Sequence, residues 1–149
     1  MAGETAFAAY GTLLQMGDGA GTEVFATVAG VKDIAGPGVS RDTAESTSHS
    51  SPEGYEEFVA TIKRSGEVGF DCNWNPADPT HDETTGMYHL AQADAATNFK
   101  LVYPRLLKAW SFKGIVTKWV TNAPVAGLLT ASVTIKVTGR PTLATWSAP

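Results

Sequence analysis

The sequence predicts a mainly β protein: a β-sandwich or open barrel with one flanking α-helix. Three observations lead there. Leu129, Ala131, Val133, Ile135 and Val137 alternate with Thr130, Ser132, Thr134, Lys136 and Thr138, the period-two pattern of a strand with one buried face. A second long strand, residues 109–120, carries Trp110, Phe112 and Val116 on one face and Ile115 and Trp119 on the other. Apolar residues on both faces suit a strand covered on both sides rather than one in a half-exposed sheet. Glycine- and proline-rich breaks at Gly36-Pro37-Gly38, Gly66, Asn75-Pro76 and Gly139-Arg140-Pro141 divide the chain into short runs, which implies roughly seven or eight strands.

Taken in order, residues 1–9 are small and weakly patterned and read as a flexible N-terminal arm. Residues 12–15 form a short strand, and Asp18 to Gly21 a turn. Further strands cover residues 24–25 and 28–34, with a break near Gly30. Residues 40–64 begin as an extended stretch and become a loop rich in Ser, Thr and charge; such a segment is expected to order against a partner. Within it Tyr55, Phe58, Val59 and Ile62 fall at i, i+3, i+4 and i+7, which predicts a short amphipathic helix with Ser51 as N-cap and Pro52 at its first position. Residues 67–73 alternate as a strand, with Val68, Phe70, Cys72 and Trp74 on one face. The main helix is expected over residues 80–95, started by Thr80 or Asp78 and burying Met87, Leu90, Ala91 and Tyr88. Residues 98–103 form a strand with Phe99, Leu101 and Tyr103 on one face. The two long strands follow. Gly139-Arg140-Pro141 is expected to end the last of them, leaving 142–149 as a C-terminal tail.

At 149 residues the chain fits a single domain, 1–149. A chain of this length buries roughly 68–70% of its unfolded surface without help from a metal or disulfide. The one cysteine, Cys72, is expected to be a buried structural thiol. The formal net charge of −4 argues against tight nucleic-acid binding and against docking on an anionic membrane. It leaves room for a protein that surrounds DNA without gripping it. No stretch approaches the ~20 apolar residues of a membrane span. Residues 1–10 lack the basic start of a signal peptide, so the expected site of assembly is a cytosol.

The residues give no coherent catalytic or metal constellation. His81 and His89 sit eight apart on the expected helix near Asp82 and Glu83, without HxxxH spacing or a third ligand, and both read as solvent-facing. His49 lies between serines with no partner defined by the sequence. Gly17-Asp-Gly-Ala-Gly21 has no Lys-Ser/Thr after it and reads as a turn rather than a phosphate cradle. Glu56-Glu57 and Asp82-Glu83 are adjacent pairs that point apart. No enzyme activity, cofactor or metal is expected. Trp74, Trp110, Trp119 and Trp146 support an alternative reading, a surface carbohydrate-binding or adhesion β-sandwich module.

One set of motifs is more specific. Gly54-Tyr55-Glu-Glu57-Phe58 forms a hook, followed by residues 63–66 and then Glu67-Val-x-Phe-x-x-Asn-Trp-x-Pro76. Phe112-Lys-Gly114 and Thr134-Ile-Lys-Val-Thr-Gly-Arg-Pro141 come later. In order and spacing, from about Val31 to Thr142, the chain resembles the tail tube proteins of long, non-contractile-tailed, lambda-like bacteriophages. Ala60-Thr61 stands where that family often has Pro-Gly. The resemblance implies a tail-tube sandwich fold and a structural virion protein made in the host cytoplasm. It implies stacked hexameric rings around a tape-measure protein, with a tail terminator and tail-tip proteins at the ends. DNA would pass through the lumen without specific binding. Asp42, Glu45, His49, Tyr55 and Phe58, all in the 40–64 segment, are the residues expected at the subunit interface, with Tyr55 and Phe58 as its packing anchors. Six copies would bring −24 formal charges to each ring. Duplex DNA carries one charge per ~1.7 Å of axis, so a net negative or neutral lumen is expected to keep it sliding.

Overall fold

A computed structural model describes residues 6–19, 21 and 23–147. The expected N-terminal arm lies outside the described residues as far as residue 5; residues 6–9 are exposed coil. Seven strands form one sheet in the order β2-β1-β7-β8-β9-β6-β3, every pair antiparallel. They are β1 (Leu13–Gly17), β2 (Phe25–Thr27), β3 (Val31–Ala35), β6 (Glu67–Asn73), β7 (Thr97–Tyr103), β8 (Lys108–Asn122) and β9 (Thr130–Thr145). Two more, β4 (Ser40–Glu45) and β5 (Phe58–Arg64), pair only with each other. The helix α1 is Met87–Gln92.

The edge strands β2 and β3 are consecutive in sequence, and that forces the sheet to roll. In a flat sheet six inter-strand steps of ~4.8 Å would hold them ~29 Å apart, whereas residues 28–30 reach across at most ~14 Å. The crossing is fixed at both ends. The Val28 amide donates to the Leu14 carbonyl of β1 at 2.8 Å, and the Asn73 amide of β6 donates to the Gly30 carbonyl at 2.9 Å. The product is an open barrel. Leu14, Val28, Val68, Phe70, Cys72, Met87, Phe99, Leu101, Phe112, Val133 and Ile135 meet in one buried cluster drawn from both halves of the sheet. The expected face of β6 is confirmed, with Val68, Phe70 and Cys72 buried and Trp74 packed against the cluster. Burial pushes the Cys72 thiol upward from its ordinary value.

Several elements depart from the sequence reading. The expected helix over 80–95 shrinks to six residues, although Met87, Leu90 and Ala91 do pack on the core as its stripe predicted. Asp78 accepts from the Thr80 amide at 2.8 Å, and Asp82 accepts from the amides of Thr85 and Gly86 at 2.8 and 2.9 Å. These side chains satisfy the backbone in turns and so compete with helix. Gly86 belongs to the same economy of space: a Cβ there would fall 2.3 Å from the Asp82 nitrogen. His81 is neither helical nor solvent-facing. It is buried at 1% exposure, while His89 is exposed as expected.

In β8 the pairing shifts between Val116 and Lys118. The extra residue, Thr117, is a bulge that turns the following residues over. Trp119 therefore pairs with Val133 and joins the core face instead of lying opposite with Ile115. There it meets Trp74 edge-on at 6.1 Å and Tyr88 of α1 at 5.6 Å. Gly139-Arg140-Pro141 does not end the last strand. The pairing skips these residues, then resumes with Thr142–Thr145 against Ser111–Lys108, so most of the expected tail is strand. Gly114 carries the structural reason for its motif: a Cβ at that point would sit 2.5 Å from the Ile135 Cγ2 atom.

Candidate assembly surface

The feature that stands outside the barrel is the hairpin of β4 and β5. The segment expected to be a loop, residues 40–64, is a two-stranded ribbon with register Arg41 to Lys63, Thr43 to Ala60, Ala44 to Val59 and Glu45 to Phe58. The expected helix through Tyr55, Phe58, Val59 and Ile62 is absent; those apolar residues fit the 3.6 period, but Phe58–Arg64 is strand. The chain chose pairing because β4 offers a complete partner edge and because Val59, Thr61 and Ile62 are β-branched. Only Pro52–Gly54 turns helically, as a single 3-10 turn with Glu53 at φ 55°.

The tip is built by its own side chains. The Ser46 amide donates to the Glu57 carbonyl at 2.8 Å, and the Glu57 amide donates to Thr47 Oγ1 at 2.8 Å. Ser51 is buried; instead of capping a helix it accepts from the Ser48 amide at 2.9 Å and donates to Glu57 Oε2 at 3.1 Å. Further down the ribbon, Arg64 donates to Asp42 Oδ2 at 2.7 Å from Nη2 and 3.1 Å from Nε, and Thr61 Oγ1 donates to the Asp42 carbonyl. The Arg64 hydrogen bonds hold the Asp42 carboxyl below its usual range. Both partners are largely exposed, so this pair fixes ribbon geometry more than it stabilises the fold.

All five residues expected at an interface lie on this ribbon. Asp42 and Glu45 are on β4, His49 is at the tip, Tyr55 follows the 3-10 turn, and Phe58 opens β5 directly opposite Glu45. Asp42 is occupied by Arg64 within its own chain, while Glu45 and His49 face solvent. Tyr55 is 71% exposed and Phe58 56%, so neither anchors the ribbon to its own core. Every residue of β5 is exposed, Val59 and Ile62 included. Tyr55, Phe58, Val59 and Ile62, expected as the apolar stripe of a helix, are exposed instead, three of them on a strand.

A second surface was not foreseen. Beyond Val137 the outer edge of β9 has no strand beside it among the described residues, since β6 pairs only with Thr130 to Lys136. A cleft of about 790 Å³ runs between that edge and the base of the ribbon, with Trp110 exposed to it from the side. The alternation of Leu129 to Val137 carried no sign of it, because the cleft is assembled from three separate stretches, the ribbon base at 39–41 and 62–66, Trp110 of β8, and residues 136–143.

Trp74 and Trp119 pack on each other, and Trp110 and Trp146 are half-buried. Among the described residues no helix is long and apolar enough to cross a membrane.

Solved structures share this fold at low identity. A chain from the tail of an empty gene transfer agent particle, refined with C6 symmetry, superposes with TM-score 0.74 at 16% identity, covering 93% of this chain and 99% of that one. A chain from the sheath/tube terminator structure of the PVC extracellular contractile injection system gives 0.71 at 12%, covering 96% and 99%. One from the baseplate of the anti-feeding prophage gives 0.68 at 9%, covering 95% and 97%. No curated protein matches the chain in sequence. The sequence profile of the family described as lambda phage tail tube protein matches residues 12–144. The chain therefore belongs to the lambda phage tail tube protein family, as a structural component of the virion tail and not an enzyme.

Proposed function

We propose that this protein forms the tube of a long, non-contractile phage tail: six copies close a ring, rings stack helically, and DNA leaves through the bore. The observation that carries the reading is the ribbon of β4 and β5. A two-stranded hairpin in water is marginal on its own, and this one holds Tyr55, Phe58, Val59 and Ile62 away from any core. Each such side chain contributes about 1.5–3 kcal/mol when fully buried, so contact with an identical copy would stabilise the ribbon. Asp42, Glu45, His49, Tyr55 and Phe58 are then interface residues, and residues 40–64 are fully ordered only in the assembly. The short unpaired edges of β2 and β3 and the outer edge of β9 offer further places for a neighbour to join. The C6 symmetry described for the gene transfer agent tail supports rings of six.

A tape-measure protein inside the tube, a terminator above it and tail-tip proteins below it are the partners this role requires. DNA passes without specific binding, along a lumen that is net negative or neutral. Assembly takes place in the host cytoplasm. Electron microscopy of the purified protein at rising concentration tests the reading. Hollow filaments of uniform width are expected, and a chain that stays single at every concentration refutes it.

A further inference from the structure

Five of the eleven lysines and arginines of this acidic chain gather on the one cleft beside the base of the ribbon: Arg41, Lys63, Arg64, Lys136 and Arg140. Among the described residues no carboxylate lines it. Arg64 is engaged by Asp42, and the other four have no ion-pair partner among the described residues. The rest of the lining includes Trp110, Ile62 and Leu143. A cluster of like charges around apolar surface is unfavourable by itself and favours an acidic, partly apolar occupant.

The same chain supplies one. Residues 45–57, the far end of the ribbon, contain Glu45, Glu53, Glu56 and Glu57 and no lysine or arginine. Tyr55 stands exposed among them, and Phe58 follows directly. The tip cannot reach the cleft of its own chain. The ribbon between them is paired from Arg41–Lys63 to Glu45–Phe58, a length of about 14–17 Å. The two surfaces are complementary, separate and present on every copy.

We propose that the acidic tip of one copy docks in the basic cleft of the next, head to tail. This rests on the tube reading above and names the partner of its ribbon. Such a contact joins two different patches, so it closes a ring or continues from ring to ring according to the rotation it imposes. Tyr55 would lie against the Trp110 side of the cleft, while Glu53 and Glu56 face Lys63 and Arg140. Glu57 stays tied to Ser51 and keeps the tip in shape.

Charge exchange tests it. The double variant Lys63→Glu, Arg140→Glu sets like charges against Glu53 and Glu56 at the two proposed pairs, and Glu53→Lys, Glu56→Lys does the same against Lys63 and Arg140. Each variant alone should keep the wild-type circular dichroism and raise the critical concentration for tube formation by about tenfold or more. An equimolar mixture should form tubes again, because the lysines introduced at 53 and 56 in one variant meet the glutamates introduced at 63 and 140 in the other, and the unchanged tip and cleft meet as in the wild type; a misfolded variant could not be rescued in this way. Variants that assemble alone at the wild-type concentration would overturn the docking, and so would a mixture that stays unassembled. In both cases wild-type tubes would leave the tube reading standing, whereas a wild-type chain that forms none would remove both.

Discussion

His81 Nε2 lies 2.6 Å from the carbonyl oxygen of Ala29, a residue fifty-two positions earlier in the chain. The other ring nitrogen, Nδ1, accepts from the Asn75 amide at 3.1 Å. One acceptor and one donor are the pattern of a neutral imidazole, with Nε2 giving its proton to Ala29. Beside it the Ala29 amide donates to Thr80 Oγ1 at 3.1 Å. Ala29 is the middle of the three-residue crossing that brings the two edges of the rolled sheet together, so this histidine ties the 75–86 turns to the closure of the barrel. His81→Ala removes both bonds and leaves a cavity at a fully buried site, at a cost of about 2–4 kcal/mol. Urea unfolding monitored by tryptophan fluorescence measures it. A loss within ~0.5 kcal/mol would show that the corner closes without the ring.

Gly114 faces the core where β8 crosses Ile135. Its missing Cβ is a packing requirement, since any added methyl meets Ile135 Cγ2 at 2.5 Å and the Lys136 carbonyl at 3.1 Å. Gly114→Ala is expected to destabilise by about 1–3 kcal/mol through overpacking, which lowers Tm by roughly 3–9 °C for a domain of this size. Thermal unfolding at neutral pH decides the matter, and an unchanged or raised Tm would contradict the contact.

Acid should loosen the 75–86 turns. Hydrogen bonds from the Thr85 amide first, then those of Gly86 and Thr84, lower the Asp82 pKa from its ordinary 3.8. A carboxylate with a depressed folded pKa contributes stability that is complete above its unfolded value and disappears as pH falls through the folded one. Asp82→Asn should therefore be less stable than wild type at about pH 6, with the gap narrowing steadily toward about pH 2. The variant matters because Asp42 and Asp78 are lowered as well and move both curves, so that only the gap between them reports Asp82. A gap that stays constant with pH would remove Asp82 from this role.

Tyr55→Ala and Phe58→Ala should separate folding from assembly. Both side chains are mostly in solvent, so monomer stability is expected to change by no more than about 0.5 kcal/mol. Tube yield, measured by pelleting and microscopy, should fall sharply in both. Normal tubes from both variants would take Tyr55 and Phe58 out of the interface.

The barrel was legible where local pattern and long-range packing agree. Val68, Phe70 and Cys72 alternate and are buried, and Ala131, Val133, Ile135 and Val137 do the same. The sequence could not reveal Trp119 turning inward, because the bulge at Thr117 is a property of two strands in register and not of either alone. His81 looked like a surface residue because its partners, Ala29 and Asn75, are set by the fold. The ribbon illustrates the limit of periodicity. Tyr55, Phe58, Val59 and Ile62 satisfy the helical spacing equally well, and only pairing with Ser40–Glu45 decides for strand. Family resemblance carried what the residues alone could not, the identity of the chain as a tube protein.

Helical reconstruction of assembled tubes by cryo-electron microscopy tests most directly the claim that this chain works through contact with its own copies. Six subunits per ring are expected, with Tyr55 and Phe58 of each ribbon buried against a neighbour and no continuous basic lining to the bore. Ribbons projecting freely into solvent from a complete tube would contradict it.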